Sequence, residues 1–305
     1  MPIFDVLTWD IVLITFRLAI PITFAAVGGT LSERSGVINI GLEGMMLMGA
    51  FGGVLGSFLT GSAWMGLVFA MILGGLAGLV HAVLSVHYKA NQVVSGVGIN
   101  ILAAGLTVIL VRAIWGKEGM SAQVESLDMV TVPLLNKIPY LGDLFTDQTP
   151  LLYLMILVVA TAWFVMFKTN IGLRLRALGD HPQAVRTAGI SIKKYRFICV
   201  ILSGVLSGLG GSYLSIVHNN IFVQGMTAGR GFMALAANIF GGWNPAGSFG
   251  AGLIFAFAQA IRLNMLEFEI PDQFIQMLPY IVTLLILVLA GRKSRAPESL
   301  GAPDE

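Results

Sequence analysis

Long runs of apolar residues, separated by short polar breaks, repeat along the whole chain. A helix needs about 20 apolar residues to cross a hydrocarbon core of about 30 Å, and most of the runs approach or exceed that length. The pattern predicts an all-α polytopic membrane protein with about nine (eight to ten) transmembrane helices. The expected spans lie near residues 11–31, 42–60, 64–87, 91–113, 150–168, 196–217, 227–243, 246–262 and 272–290.

Two of these spans, 42–60 and 227–243, are short and glycine-rich, which indicates broken or re-entrant helices. Four spans precede 150–168 and four follow the polar segment after it, so the two sets would run in opposite directions. "VINIG" (37–41) and "AANIFGG" (236–242) occupy similar places in the two sets. The pattern suggests an inverted repeat, the arrangement in which transporters place solute where short interrupted helices meet. A chance similarity remains the alternative.

Basic residues set the expected orientation. The segment Lys168–Arg196 holds seven of the 18 lysines and arginines and one acid, and three more basic residues follow the last span. Cytoplasmic loops are enriched in such residues, whereas the loop 114–149 is acidic and suits the outside. We expect residues 1–291 to form one transmembrane domain with an external N-terminus. Residues 292–305 would be a polar cytoplasmic tail.

Composition agrees with a membrane location. The 305 residues are 56% hydrophobic and 11% charged, against about 25% charged in soluble domains. The single cysteine, Cys199, excludes an internal disulfide, and no Cys/His cluster has metal-ligand spacing. The first ten residues contain two acids and no base, unlike a cleavable signal peptide.

Glycines four residues apart predict close helix packing, because small faces let membrane helices approach one another. The same faces would also allow helices to slide. The pairs are Gly49/Gly53, Gly74/Gly78, Gly204/Gly208 and Gly225/Gly229.

Ionisable residues are rare inside the apolar runs, where a charge is costly. Arg112, Arg230 and Arg262 lie near predicted span ends and are expected to extend to the interface. The Glu33–Arg34 pair is placed at the cytoplasmic end of the first span, where charge costs little. Glu43 falls in the first turn of its helix, where it would act either as a cap or as a ligand contact.

The expected solute pathway is lined mainly by uncharged polar residues. The four histidines are too scattered for the proton relay of an ion-coupled carrier. Amides suit a neutral solute with hydroxyl or amide groups, although each could equally make a hydrogen bond between helices. The pathway residues are Asn39, Glu43, Asn100, Asn238, Asn244 and Gln259.

The basic segment "NIGLRLRALGDHPQAVRTAGISIKKY" (170–195) is expected to contain two short helices. The first would stop at Gly179, and the second would have Pro182 in its first turn and end at Gly189. A small apolar face suggests that the segment docks a partner, with a simple positive-inside anchor as the alternative. The face comprises Ala177, Ala184, Val185, Ala188 and Ile190. The chain has no phosphate-binding loop, so ATP could drive it only through a separate subunit.

Three stretches carry a family resemblance: "SERSGVINIGLEGMMLMGAF" (32–51), "GLRLRALGDHPQAVRTAGIS" (172–191) and "GRGFMALAANIFGGWNPAGSFGAGLIFA" (229–256). They resemble permease subunits of bacterial ABC importers, in the branch shared by branched-chain amino acid, ribose-type sugar and nucleoside systems. "SGVINIGLEGMM" (35–46) is most similar to the nucleoside permeases.

The resemblance implies alternating access in a bacterial cytoplasmic membrane, with membrane lipid around the spans. The implied partners are an ABC ATP-binding subunit, a second homologous permease and an extracellular substrate-binding lipoprotein. ATP and Mg²⁺ would bind to the ATPase, so this chain would have no cofactor, metal or catalytic residue, and it would bind no nucleic acid. The residues implied to couple to the ATPase are Gly172, Arg174, Arg176, Ala177, Gly179, Asp180, Ala184, Gly189 and Ile190. The alternatives are a sugar or branched-chain amino acid permease and, more remotely, an ATP-independent secondary carrier.

Overall fold

The computed structural model describes residues 9–131, 146–265 and 295–302, and regular structure there is helical. Two isolated β-bridges, Met120–Val223 and Val130–Gln148, join loops. Short π-helical turns, Val83–His87 and Tyr213–His218, follow the α-helices that end at Ala82 and Ser212. The helices are α1 (Trp9–Arg34), α2 (Leu42–Thr60), α3 (Ala63–Ala82), α4 (Gln92–Trp115), α5 (Pro150–Lys168), α6 (Asn170–Asp180), α7 (Pro182–Thr187), α8 (Ile192–Ser212), α9 (Arg230–Phe240) and α10 (Pro245–Met265).

Within the described ranges, seven helices are long and apolar enough to cross a membrane. They correspond to α1–α5, α8 and α10, close to seven of the expected spans. The expected span 227–243 contains only the 11-residue helix α9, and 272–290 lies outside the described residues. The structure therefore supports a polytopic helical membrane protein but does not confirm nine crossings.

Backbone geometry explains why α9 is short. Ala228 and Gly229, directly before it, have φ angles of 46° and 80°, which a continuing helix cannot contain. The expected packing pair Gly225/Gly229 is therefore a turn: both glycines have positive φ, and a Cβ on either would meet nothing within 4 Å. The prediction of helix packing was wrong for this pair, because positive φ is the other common reason for a glycine.

The other predicted glycine pairs line close helix contacts. A Cβ on Gly74 would approach the carbonyl of Gly204 and lie 2.8 Å from the Cα of Gly208. A Cβ on Gly78 would lie 3.1 Å from Gly204 Cα, and Gly49 lies directly against Gly208. Helices α2, α3 and α8 thus touch backbone to backbone, as small-residue packing in lipid predicts.

Helix α1 runs antiparallel to α8 through the interior. Gly28 lies against Ser203, and Pro21 lies against Gly210. Residue numbers therefore increase along α1 in the direction in which they decrease along α8. Helix α10 covers another side of α1 through Ala256. Helices α4 and α5, in contrast, expose apolar side chains on the surface of the chain, among them Ile101, Ile109 and Leu157, which are 60–69% exposed.

Candidate functional site

The carboxylate of Glu43, in the first turn of α2, caps a different helix. Its Oε1 accepts hydrogen bonds from Thr227 Oγ1 (2.6 Å) and Gly229 N (2.8 Å), and its Oε2 accepts one from Gly231 N (2.6 Å). These donors belong to the N-terminus of α9, whose first N–H groups have no partner within the helix and carry partial positive charge. Glu43 therefore fastens the start of α2 to the start of α9.

The N-terminus of α2 is itself held by α4. Gly44 N donates to Asn100 Oδ1 (2.7 Å), and Asn100 Nδ2 donates to Ile40 O (3.0 Å). The N-termini of α2 and α9 thus meet at Glu43, and Asn100 of α4 binds the start of α2.

Asn39 is fully buried in the loop between α1 and α2. Its Nδ2 donates to Ser203 Oγ (2.9 Å) on α8, and its Oδ1 accepts from Gly41 N (3.1 Å). The side chain therefore has partners on both sides, and it ties this loop to the interior face of α8.

The other end of α9 is held by a second carboxylate, that of Glu33. Glu33 is 2% exposed, and its Oε2 accepts from Asn238 Nδ2 (2.8 Å) and Trp243 Nε1 (2.5 Å). Thr30 Oγ1 reaches Asn238 Oδ1 (2.8 Å) and Ser248 Oγ (2.9 Å). A polar network thus joins the end of α1 to α9 and α10.

The expectation that Glu33 and Arg34 sit where charge costs little was wrong for Glu33. The two side chains diverge: Arg34 donates to the carbonyls of Trp243 (2.7 Å) and Gly242 (3.1 Å). Sequence reasoning missed Glu33 because its position at the end of the first apolar run suggested a solvent boundary. The only available signal was "AANIFGGW" (236–243), which contains both of its partners.

The remaining two predicted pathway residues lie on or beside α10. Asn244 Oδ1 accepts from Ala246 N (3.1 Å) at the start of that helix. Gln259 Nε2 lies 3.0 Å from Met233 Sδ on α9. All six predicted residues therefore border α2, α9 or α10, and each makes a hydrogen bond within the chain. A role in contacting solute stays a prediction.

The three arginines expected at span ends behave differently. Arg112 is exposed and lies 3.6 Å from Glu118, as expected. Arg230 is partly buried, and its Nη1 donates to Met226 O (3.3 Å) and Thr227 O (3.2 Å) in the turn before α9. The extension of Arg230 to the membrane interface stays a prediction.

The basic segment forms the two expected short helices, α6 and α7. Thr169 caps α6 by accepting from Gly172 N (3.3 Å), and Gly189 follows α7 with a φ of 75°. The first helix runs through Gly179 to Asp180, so the predicted stop at Gly179 was wrong. Gly179 is needed for another reason: it lies against the carbonyl of Arg34 with no room for a Cβ.

The predicted docking face is partly internal. Ala177, Val185 and Ile190 pack with other residues of α6–α8, because the α6–α7 pair uses its apolar face to seat on α8. The other two residues of the face, Ala184 and Ala188, are exposed. The apolar side chains that face outward are Ile171 and Leu173, 57% and 59% exposed.

Two charged residues of the segment, Arg176 and Asp180, line a surface cleft. Arg174 is exposed and donates to Tyr195 Oη (3.3 Å). Arg176 stacks over the ring of Phe167 at 5.1 Å. Arg34, Arg176 and Asp180 line a cleft of about 710 Å³ at this end of the molecule.

A bundle of apolar helices, two helix starts that meet around a partly buried carboxylate, and a basic helical pair at one end together suit a membrane transport subunit. The family described as "Branched-chain amino acid transport system / permease component" matches residues 11–290. The chain belongs to this permease family and is a multi-pass protein of the plasma membrane.

Three relatives illustrate the relationship. The chain is 41% identical to the guanosine ABC transporter permease protein NupQ of Bacillus subtilis, over 95% of this chain and 94% of that protein. It is 39% identical to the nucleoside ABC transporter permease protein NupC of Lactococcus lactis, over 92% of each. It is 34% identical to the putative glucose ABC transporter permease protein TsgC13 of Haloferax volcanii, over 82% and 76%. No solved structure matches the chain.

Proposed function

We propose that the chain is the permease subunit of an ABC importer that carries nucleosides. The observation that carries this proposal is near-full-length identity of 41% and 39% to permeases named for guanosine and nucleosides. A sugar is the second possibility, favoured by the relative named for glucose. The chain makes and breaks no bonds in this scheme: ATP and Mg²⁺ are bound by a separate ATPase subunit.

The hydrogen bonding of the two carboxylates, Glu33 and Glu43, supports a neutral solute. Glu43 accepts three hydrogen bonds and Glu33 accepts two, so neither carboxylate is an open ion site. A nucleoside carries no net charge and offers hydroxyl groups and base edges. It would be recognised by hydrogen bonds and by stacking on an aromatic face.

We infer that the solute pathway runs along α9, on the side that would face a second permease subunit. Phe232 and Ile239, one side of this helix, are 49% and 38% exposed, although the opposite side is fully packed. In inverted-repeat transporters, short helices of this kind border the solute. The antiparallel crossing of α1 with α8 and the meeting of α2 with α9 support such a repeat.

Coupling to ATP hydrolysis would begin at α6 and α7. Gly179 of α6 lies against the end of α1, and Arg34 there holds the carbonyls of Gly242 and Trp243. A displacement of α6 can therefore be transmitted through these contacts to the C-terminal end of α9. This placement requires the basic segment to face the cytoplasm and the N-terminus to lie outside, where a substrate-binding lipoprotein would deliver solute.

The test is uptake by the reconstituted complex of this chain, its partner permease and the ATPase, with the cognate binding protein. We expect ATP-dependent accumulation of labelled guanosine that excess unlabelled nucleoside, but not glucose, suppresses. Competition by glucose alone would favour the sugar reading. Uptake without ATP, with no ATPase copurifying, would contradict the ABC assignment.

A further inference from the structure

The C-terminal segment 295–302 is docked against the coupling helices. Ser299 N and Ser299 Oγ both donate to Gly179 O, at 2.9 and 2.6 Å, and the hydroxyl also reaches Leu178 O (3.3 Å). The last carbonyls of a helix have no partner within it. Ser299 supplies that partner to α6, from a segment 120 residues away in the sequence.

The same segment reaches the loop between α1 and α2. Gly301 N donates to Gly36 O (3.1 Å), and a Cβ on Gly301 would lie 2.8 Å from Ile38 Cδ1. Ser299 Oγ lies close to Gly36 as well, 3.2 Å from where a Cβ would stand. Two residues apart, Ser299 and Gly301 thus bind two different parts of the molecule.

Burial alternates along residues 295–302, which we call the strap, and residues 298–301 of the strap form turns. Pro297 and Ser299 are buried, whereas Ala296 and Glu298 are exposed. The exposed Glu298 lies 3.8 Å from His181, a contact that contributes little because both side chains are in solvent. The attachment therefore depends on the inward-facing residues.

The loop reached by the strap leads directly to the proposed solute region. Its residue Asn39 bonds to Ser203, and the first turn of α2 that follows carries Glu43, the cap of α9. In the described residues, α6 contacts the end of α1 through Gly179 and reaches residues 36–38 through the strap.

We propose that residues 297–301 act as a splint that carries the displacement of α6 to the α1–α2 loop and from there to the start of α2. The C-terminal segment is then a working part of the coupling apparatus, not a passive polar tail. The effect on transport rests on the proposed ATP-driven function. The physical link between α6 and the α1–α2 loop does not.

Transport and ATP hydrolysis are measured in parallel on the reconstituted complex, with labelled guanosine. The variants are a chain ending at residue 294, Ser299→Ala and Gly301→Ala, with Glu298→Ala as the matched control. We expect about a tenfold loss of solute moved per ATP for the truncation and about fivefold for Ser299→Ala, the loss of about one net hydrogen bond. Glu298→Ala should match the wild type.

Amide hydrogen exchange on the same complexes, without any solute, measures whether the strap stabilises α6 and the α1–α2 loop. We expect faster exchange at residues 36–41 and 175–180 in the truncated chain and in Gly301→Ala, with unchanged exchange in Glu298→Ala. Unchanged exchange, or a wild-type ratio of transport to ATP hydrolysis in the truncated chain, would overturn the splint. Failure of the wild type to take up nucleoside would count against the proposed function, while the exchange result would still decide the splint.

Discussion

The carboxylate of Glu43 and the backbone N–H of Gly231 lie 2.6 Å apart, which joins the first turn of α2 to the first turn of α9. The residues are 188 positions apart. Because the carboxylate also binds Thr227 and Gly229, it replaces the capping residue that the sequence before α9 lacks: Gly229 makes no side-chain cap.

Removing this cap should impair transport more than folding. Glu43→Ala leaves three donors without an acceptor and is expected to lower the free energy of unfolding by about 1–3 kcal/mol and uptake by about tenfold or more. Glu43→Gln keeps one carbonyl oxygen and should fall between. Thermal unfolding in detergent and guanosine uptake measure the two effects. Glu118→Ala, an exposed carboxylate, is the control, and wild-type uptake by Glu43→Ala would contradict the role.

The buried Glu33 is expected to be mainly structural. Glu33→Ala leaves the amide of Asn238 and the indole N–H of Trp243 buried without an acceptor, at about 1–3 kcal/mol each. We therefore expect a large fall in Tm and in yield from membranes, with partial recovery in Glu33→Gln. Arg112→Ala, on an exposed surface, should leave Tm unchanged. An unchanged Tm in Glu33→Ala would show that the network is dispensable.

Backbone contact between α3 and α8 should make Gly74 intolerant of even a methyl group. Gly74→Ala places a Cβ 2.8 Å from Gly208 Cα, so the helices must separate, and we expect a lower Tm. Gly98→Ala and Gly105→Ala are matched controls in α4, since a Cβ there meets nothing within 4 Å. They should be neutral or stabilise the helix by about 0.5–1 kcal/mol. Equal effects at all three positions would argue against close packing.

Outward-facing Leu173 is expected to contact the ATPase subunit. Leu173→Glu changes an exposed side chain, so membrane insertion and Tm should remain normal, but copurification of the ATPase should fall severalfold because a charge enters an apolar contact. Lys117→Glu, in the acidic loop after α4, is the control. Undiminished copurification with Leu173→Glu would exclude this part of α6 from the interface.

Much of the fold follows from local sequence. Apolar length places the major spans, and Pro182 and Gly189 mark the limits of α7, because these signals act within a few residues. Glycine spacing anticipates the contact of Gly74 with Gly204, since a helix face is a local property. The same spacing misled at Gly225 and Gly229, where a turn requires positive φ.

The site is harder to predict from the sequence because its hydrogen bonds join segments that are far apart in the chain. Glu43 was recognised as a helix-start carboxylate, but nothing near it indicates that the helix it caps is α9. Glu33 was misplaced because hydropathy cannot distinguish a carboxylate at a solvent boundary from one inside a hydrogen-bond network. Ser299 carries no local signal at all: its partner, Gly179, looks like an ordinary helix stop.

The backbone contacts among α2, α3 and α8 also constrain how the molecule can move. Helices that touch without intervening side chains have no rotamers to rearrange, so they form a stiff frame. The eleven-residue helix α9 packs against the surrounding structure along one side and bonds to a carboxylate at each end. A displacement of Glu33 or Glu43 would therefore act directly on one end of α9.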